Sequence, residues 1–278
     1  MAHTKKIYRF DKSNEYEYCY AGNYGAKGER RLPRKEVTPE QIRNQNLRNR
    51  ANYVRRLIKL NFNSDDLWVT LKYSKGTRKS IKELKKDFRN FINRLKRRYK
   101  KYNEELKYIY RLEVGKKGGL HVHILVNRIP EADIMITDAW GEGYVNYTPI
   151  YDMGGYKDLA EYIVKRPVAG DEAYEQLMLF DAPEQRSLVS YNPSRNLKKP
   201  VPEVYTYTRR TVERIINEGP VATKGYYIDK NSIISGVNPI TGMSYLHYTE
   251  IKIESIHDKK MKGENRNVYK TGNVQKTG

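Results

Sequence analysis

The chain of 278 residues contains a single cysteine, Cys19. An internal disulfide is therefore impossible, and a zinc cluster built from several thiolates is excluded as well. Long apolar runs are also lacking. No stretch approaches the roughly 18 consecutive apolar residues of a membrane-spanning helix, and the basic start MAHTKKIYRF has no apolar signal-peptide segment. These absences predict a soluble protein of a reducing compartment with no membrane partner.

Acidic residues are too few to balance the basic ones. Asp and Glu together number 33 against 53 Lys and Arg, which gives a formal net charge of +20. A field of that size attracts polyanions, so nucleic acid is the expected partner. Phenylalanine is also scarce, with 5 residues against 25 tyrosines. Tyrosine stacks on unpaired bases and hydrogen-bonds phosphates, although a tyrosine-rich core would give the same composition.

Strand and helix patterns alternate in the middle of the chain. LWVTLKY, residues 67–73, is rich in β-branched and aromatic residues, which is typical of a strand. A helix is predicted from Ser80 to about Lys101 because apolar residues recur at steps of three and four. Two strands, LKYIYRLEVG and LHVHILVN, follow around the turn KKGG, and then come a short helix, the strand YVNYTPI and a helix that stops at Pro167. This order predicts an α+β fold with a ferredoxin-like antiparallel sheet and helices on one face.

Residues 1–61 are interpreted as a basic arm followed by a helix. Thr38, the proline after it and the glutamine three positions on form an N-terminal capping pattern, and the helix is predicted to run to about Leu60. Its arginines, Arg55 and Arg56 among them, either contact phosphates or form a solvated face. Within the arm, YEYCYAG is interpreted as an edge strand.

Residues 168–278 form a C-terminal extension with weaker signals. DEAYEQLMLFDAPEQ is predicted to be an acidic helix or loop, and YTRRTVERIINEG a helix. The segment after them is predicted to form hairpins with turns at Gly236 and at NPITG. From about residue 259 the chain is charged and rich in Gly and Asn, which predicts disorder.

Two of the five histidines stand in an otherwise apolar strand, LHVHILVN. Because His121 and His123 are two residues apart, they project from one face of the sheet, while Val122 projects into the core on the other. If the preceding hairpin is centred on Lys117, Glu113 lies directly opposite His121 on the same face. A register slip of one residue would bury Glu113 instead.

Two imidazoles and a carboxylate on adjacent strands can form a three-ligand site for a divalent metal. Such a site leaves coordination positions open for oxygen-bearing substrates, so Mg²⁺ or Mn²⁺ fits it as readily as zinc. The predicted ligands are Glu113, His121 and His123. The alternative is a pair of solvent-facing strand histidines.

A candidate nucleophile lies on the predicted helix that carries EYIVKR. Tyr162 and Lys165 are three residues apart and therefore share one helical face. A tyrosine hydroxyl that attacks phosphorus forms a covalent phosphotyrosine, which keeps the bond energy for later religation. Lys165 could stabilise the phenolate or the phosphoryl oxygens. The alternative is an ordinary amphipathic helix.

These motifs, in this order, resemble the HUH endonuclease superfamily, and within it the rolling-circle replication initiator (Rep) proteins of phages and plasmids, including the filamentous-phage gene II type. LWVTLKY resembles the first motif, LHVHILVN the His-hydrophobic-His motif, and YIVK the tyrosine motif. Glu113 occupies the place where relatives often keep a third metal ligand, and WGEGYVNY also resembles these proteins. The resemblance covers about residues 62–166 and marks 62–167 as the endonuclease core.

The resemblance implies a nickase that depends on Mg²⁺ or Mn²⁺ and cuts single-stranded or extruded origin DNA. Tyr162 would become 5′-phosphotyrosyl and release a 3′-OH for a polymerase. Position 166 is Arg rather than a second tyrosine, so a single-tyrosine enzyme is expected, with Tyr156 as a reserve. The segment GTRKS is not a Walker loop, so the chain is not expected to have a helicase activity of its own. A host helicase and a host polymerase are therefore the expected protein partners. The expected location is the cytoplasm of a bacterial host.

Four basic residues are also given a predicted role in DNA binding, with less support from the motifs. Basic side chains near them are predicted to contact DNA: Arg55, Arg56, Lys72 and Arg111. The C-terminal extension is expected to recognise the origin duplex. A plasmid-mobilisation relaxase or a single-tyrosine transposase would use the same chemistry. A nucleic-acid-binding regulator without catalysis is the alternative of another class, and a small cupin-like metalloenzyme fits poorly because downstream ligands are missing.

Overall fold

The computed structural model describes residues 3–21, 32–33, 35–150, 155–207 and 211–253. Within them the strands are β1 (His3–Arg9), β2 (Ser13–Tyr20), β3 (Leu67–Tyr73), β4 (Tyr108–Val114), β5 (Leu120–Val126), β6 (Gly143–Thr148), β7 (Tyr191–Pro193), β8 (Glu203–Tyr207), β9 (Tyr226–Asn238) and β10 (Met243–Lys252). The helices are α1 (Pro39–Asn61), α2 (Ile81–Lys101), α3 (Ala132–Trp140), α4 (Lys157–Val164), α5 (Glu172–Met178), α6 (Ala182–Val189) and α7 (Val212–Glu218).

The chain divides into two compact units. Unit 1 combines residues 1–37 with residues 201–278, and unit 2 comprises residues 38–200. Helix α1 therefore belongs to unit 2, together with strands β3 to β7. Strands β1 and β2 of unit 1 pair with β8 and β10, which lie in the C-terminal part of the chain. The functional boundaries expected from the sequence, at residues 61 and 167, stay a prediction, because compactness does not show which residues carry out chemistry.

Unit 2 contains a five-stranded antiparallel sheet in the order β6-β3-β5-β4-β7. The four long strands and the helices α2 and α3 alternate along the chain as strand, helix, strand, strand, helix, strand. That succession with this spatial order is the ferredoxin-like arrangement, so the predicted fold class is confirmed. The short edge strand β7 adds to it beside β4.

The helices of the ferredoxin-like repeat cover one face of this sheet. Ser80 caps α2, and a capping box with Glu83 fixes its first turn. Val122 and Ile124 of β5 are fully buried beneath the helices. All seven apolar residues of the predicted α2 stripe are buried: Ile81, Leu84, Phe88, Phe91, Ile92, Leu95 and Tyr99.

The opposite face of the sheet carries a second, smaller core. Trp68 and Leu125 project to this side and pack with buried residues of α1 and α4, such as Leu57 and Ile163. Helix α1 starts at the predicted cap Thr38 and ends at Asn61. These two helices add a layer to part of the face that also carries the histidines, and they thereby bring α4 to the candidate site.

Unit 1 contains a second antiparallel sheet in the order β8-β1-β2-β10-β9. The prediction that YEYCYAG is an edge strand is wrong, because β2 is the central strand and pairs with both β1 and β10. Tyr16 and Tyr18 of β2 pack on one face with Val212 and Ile215 of α7. The partners of β2 lie far apart in sequence, so its own pattern could not reveal them.

The C-terminal region differs from its prediction in one turn. β9 and β10 form a hairpin around NPITG, as predicted, but Gly236 lies inside β9 opposite Tyr245 rather than in a turn. A Cβ atom at position 236 would lie 3.1 Å from the Tyr245 hydroxyl oxygen, so glycine makes room for that ring. The predicted acidic helix or loop forms α5 and α6. The tail predicted to be disordered lies outside the described residues. Among the described helices, none has the length and apolar character needed to cross a membrane.

Candidate active site

The register of the β4-β5 hairpin places the predicted metal ligands together. Glu113 lies directly opposite His121, and Arg111 lies opposite His123, which is the register predicted from the sequence. Since directly paired residues share a face, the carboxylate and both imidazoles project away from the α2-α3 layer. Ligand atoms of Glu113, His121 and His123 all lie within 4.8 Å of one another.

Hydrogen bonds orient the two imidazole rings. His123 Nδ1 lies 3.1 Å from the hydroxyl of Thr70, its neighbour on β3, and His123 Nε2 lies 3.4 Å from Glu113 Oε2. When Nδ1 donates to Thr70, Nε2 presents a lone pair toward Glu113, as a metal ligand must. His121 Nδ1 makes a long contact of 3.4 Å with the carbonyl of Gly119. A carbonyl only accepts, so this contact also favours a lone pair on Nε2.

The surroundings keep both imidazoles neutral. Burial is the main cause that lowers the pKa of His123 to about 3, and the charges of His121, Arg111 and Lys72 add to it. Burial also lowers the pKa of His121, against the opposing effect of Glu113. Neutral imidazole is the form that binds a metal cation, so the site is prepared for one without first losing protons.

Tyr162 reaches the same place from α4. Its hydroxyl lies 3.0 Å from His123 Nε2 and 3.4 Å from Glu113 Oε2. Its ring meets the rings of Trp68 and His123 edge-on, with centroid distances of 5.9 and 5.2 Å. Burial, followed by the charge of Glu113, raises the pKa of Tyr162 to about 12, although Arg111 acts in the other direction. The side chain is 37 % exposed, so the phenol is neutral and still accessible from solvent.

Arg111 connects the triad to the helix that carries Tyr162. The residue is only 3 % exposed, and its Nη1 donates to the carbonyl oxygens of Tyr162 (2.7 Å), Lys165 (3.0 Å) and Ile163 (3.3 Å). Its Nε lies 3.5 Å from Glu113 Oε2. A cation at the carbonyl end of a helix is favourable because the helix dipole is negative there. These contacts favour a positioning role over the DNA contact expected from the sequence.

The other residues predicted to act at the site differ in their exposure to solvent. Helix α4 ends at Val164, and Lys165 is its exposed C-cap, whose ammonium group makes no ion pair among the described residues. Lys72 is exposed on β3, directly opposite His121 and on the same face. Arg55 is half-buried, and Arg56 is buried in the unit 2 layer formed by α1. Among the basic residues predicted from the sequence, Lys72 and Lys165 are thus the exposed ones.

Two residues of the site were missed in the sequence, and both lie on β3. The ring of Trp68 stacks on the ring of His123 with a centroid distance of 5.6 Å. The hydroxyl of Thr70 lies within hydrogen-bonding distance of His123 Nδ1. Alternation in LWVTLKY places Trp68, Thr70 and Lys72 on one face, which was a usable signal. What the alternation could not show is that β3, rather than another strand, lies beside β5. Tyr156, the reserve tyrosine, is buried at the N-cap of α4, away from the triad end of the helix.

The comparisons with known proteins bear on this same region. A family model described as a replication-associated protein, of the ORF2 and gene II protein type, matches residues 66–167. This segment spans β3 to α4 and contains Glu113, His121, His123 and Tyr162, but it is less than half of the chain. The match supports a replication-associated role and DNA as the partner. The searches of curated proteins and of solved structures gave no match.

Proposed function

We propose that the protein is a metal-dependent, single-tyrosine endonuclease that nicks single-stranded or extruded origin DNA and so initiates rolling-circle replication. The observation that carries this proposal is the Tyr162 hydroxyl, which lies 3.0 Å from His123 and 3.4 Å from Glu113, two members of the candidate metal triad. A nucleophile held beside a metal triad and still open to solvent is the minimum equipment for cutting a phosphodiester by transesterification.

The triad has the donors that a catalytic divalent cation needs. Glu113, His121 and His123 would hold it through one carboxylate and two neutral imidazoles, with the Thr70 hydroxyl, 3.1 Å from Nδ1, orienting the ring of His123. Three protein ligands leave coordination positions for phosphate oxygens, and this mixed donor set suits Mn²⁺ or Mg²⁺. A bound cation would polarise the scissile phosphate as a Lewis acid.

The protein side chains supply the nucleophile and manage its proton. The Tyr162 oxygen forms a bond to phosphorus, the bond to the 3′ oxygen breaks, and that oxygen leaves as a 3′-OH after taking a proton from solvent. The phenolic proton passes to solvent as this bond forms, because Glu113 and His123, which lie 3.4 and 3.0 Å from the hydroxyl, would be engaged as metal ligands. Burial and the charge of Glu113 raise the pKa of Tyr162 to about 12, so the phenol is protonated before the reaction. The 5′-phosphotyrosyl product keeps the bond energy for religation.

Basic residues around the triad are assigned to the DNA backbone. Lys72 projects beside His121 on the open face, where its ammonium group can contact a phosphate next to the scissile one. Lys165, exposed at the end of α4, is assigned to the developing charge on the phosphoryl oxygens. Arg111 is assigned to holding α4, and with it Tyr162, over the triad.

Rival functions differ in their products. A relaxase or a single-tyrosine transposase would cut by the same chemistry, but the family match to replication-associated proteins favours replication. A regulator that only binds nucleic acid would have no need for a phenol within hydrogen-bonding distance of His123. The chain has no Walker loop, so unwinding is assigned to a host helicase and extension of the 3′-OH to a host polymerase.

The test is an adduct assay with the full-length protein. Single-stranded DNA of its own replicon is incubated with the protein and Mn²⁺, and the products are separated under denaturing conditions. We expect a covalent protein–DNA adduct, with Tyr162 as the modified residue in peptide mapping, and a free 3′-OH that a polymerase extends. An adduct on another tyrosine, or cleavage that persists in excess chelator, would contradict the proposal.

A further inference from the structure

Unit 1 contains a cavity of about 200 Å³ between its sheet and the segment that follows α7. We name it the tyrosine cavity. One wall is formed by sheet residues, the other by Ile215 and residues 219–223. The sheet wall consists mainly of aromatic rings and one lysine: His3, Lys5, Tyr16, Tyr18, Tyr207 and Tyr248. None of these residues belongs to the site described above.

The rings of the tyrosine cavity are paired, and one of them, Tyr207, is exposed to solvent. Tyr16 and Tyr248 stack with centroids 4.7 Å apart, and His3 and Tyr207 stack with centroids 5.1 Å apart. Tyr207 lies on the edge strand β8 and is 39 % exposed, and Val221 on the other wall is 85 % exposed. The other rings are at most 7 % exposed, so the open rim of the cavity offers one aromatic face, that of Tyr207.

Lys5 supplies a positive charge in the wall of the tyrosine cavity that a ligand can contact. Its ammonium group lies 5.0 Å from the centroid of Tyr16 and 5.7 Å from that of Tyr18, and it has no carboxylate partner among the described residues. Glu250 also lines the cavity, but its oxygens accept hydrogen bonds from Tyr16 and from Thr223. The rings already contact a cation of the protein, so a ligand that meets Lys5 is anionic.

We propose that the tyrosine cavity binds one nucleotide of a single DNA strand, with the base against the exposed ring of Tyr207 and its phosphate on Lys5. Aromatic faces combined with a nearby cation are how single-stranded nucleic acids are bound without sequence preference. The volume lies below the roughly 300–1,000 Å³ of pockets for drug-sized ligands, so it suits a single ring system. The proposal concerns binding in unit 1 and does not depend on nicking by unit 2.

The first test compares two neighbouring lysines on β1. Lys5 lines the tyrosine cavity, whereas Lys6 projects from the other face of the sheet, opposite Glu17. Full-length Lys5→Gln and Lys6→Gln proteins lose the same charge and are titrated, in chelator, with a fluorescent oligothymidylate of about 15 nucleotides. We expect Lys5→Gln to bind about five- to tenfold more weakly and Lys6→Gln to stay within about twofold of the wild type. Equal losses in both variants would overturn the proposal.

The second test locates the base. An oligonucleotide that carries 5-iododeoxyuridine is irradiated with the full-length protein, and crosslinked peptides are mapped. We expect a crosslink to Tyr207 that is lost in Tyr207→Leu, and the thermal midpoint of this variant checks that it folds. Crosslinks confined to residues outside the cavity would overturn the proposal. So would competition by free thymidine monophosphate as strong as that by the oligonucleotide, because the cavity would then bind a mononucleotide rather than a strand.

Discussion

Each unit contains a tyrosine whose hydroxyl donates to a glutamate on a β-sheet. In unit 1, Tyr16 donates to Glu250 Oε2 at 2.8 Å, and in unit 2, Tyr162 donates to Glu113 Oε2 at 3.4 Å. Burial is the largest cause in both cases, and it raises the pKa of each phenol to about 12. A shifted tyrosine pKa therefore does not distinguish a structural pair from a reactive one.

The difference lies in what else each carboxylate contacts. Glu250 is 1 % exposed, and its second oxygen accepts from the backbone N–H and the hydroxyl of Thr223. The side chain of Glu113 is 25 % exposed, and its ligand oxygen lies within 4.8 Å of ligand nitrogens of two imidazoles. One carboxylate is closed by protein donors, and the other is open to a cation and a substrate. Open coordination, rather than the pKa, marks the candidate site.

The sharpest test of this comparison removes one hydroxyl at a time. Tyr162→Phe should abolish the covalent adduct while oligonucleotide affinity changes by less than about twofold, because the ring stays and the nucleophile is lost. Tyr16→Phe should leave adduct formation intact and lower the free energy of unfolding by about 1.5–3 kcal/mol, the value of a hydrogen bond to a charged group. Adduct yield on denaturing gels and urea unfolding provide the two measurements. An adduct from the Tyr162→Phe protein would show that the nucleophile is a different residue.

The carboxylates offer a parallel pair of variants. Glu113→Gln should weaken Mn²⁺ binding at least about 100-fold, because even changes to the partners of metal ligands cost 10–100-fold. Glu250→Gln should leave Mn²⁺ affinity unchanged and reduce stability instead, since its oxygens bond only protein groups among the described residues. Calorimetric titration of the full-length proteins with Mn²⁺ measures both. Equal Mn²⁺ affinity in the Glu113→Gln and wild-type proteins would remove the metal site from the proposal.

A third pair of variants tests whether Arg111 positions the nucleophile. Arg111 donates to carbonyl oxygens at the end of α4, and Arg94 does the same at the end of α3, with bonds to Ala139 (2.8 Å) and Trp140 (3.3 Å). Lysine keeps the charge but loses the planar fork. Arg111→Lys should slow adduct formation about 10–100-fold at saturating DNA. The reason is that a shift of the nucleophile by about 1 Å can lower the reaction rate about 100-fold.

Arg94→Lys is the matched control for that experiment. It removes the same kind of helix-end contact at a helix that does not carry the nucleophile, so the rate of adduct formation should stay within about twofold of the wild type. Both variants are expected to lower the thermal midpoint by similar amounts. If both slow the reaction equally, Arg111 acts through general stability and not through the placement of Tyr162.

Local sequence signals were sufficient for much of unit 2. The capping patterns at Thr38 and Ser80 fix helix starts through hydrogen bonds between residues three apart. The turn at KKGG fixes a register in which Glu113 faces His121. Each of these signals depends on residues close in sequence, where alternation and turn chemistry determine the geometry. The placement of Glu113, His121 and His123 on one face could be predicted for that reason.

Contacts between distant segments explain what the sequence did not reveal. β2 is central because β10, more than 200 residues later, pairs with it, and no pattern within β2 encodes that partner. Arg111 looked like a surface cation, yet the end of α4 covers it. Thr70 could be placed next to His123 only once β3 was known to lie beside β5. The groups that orient the triad come from these long-range pairings.

The smallest expected effect concerns the closed pair of unit 1, whose contribution to stability should depend on alkaline pH. The pKa of Tyr16 is raised to about 12, above the value near 10 expected in the unfolded chain. The native state thus holds this proton more tightly, and the stability that it contributes is present below pH 10 and lost as the pH rises toward 12. The free energy of unfolding should therefore fall more steeply over this range in the wild type than in Tyr16→Phe. Urea unfolding at pH 8, 10 and 11 measures the difference. Parallel curves would mean that the hydrogen bond to Glu250 does not hold the Tyr16 proton, and the closed pair of unit 1 would no longer serve as the structural counterpart of the open one.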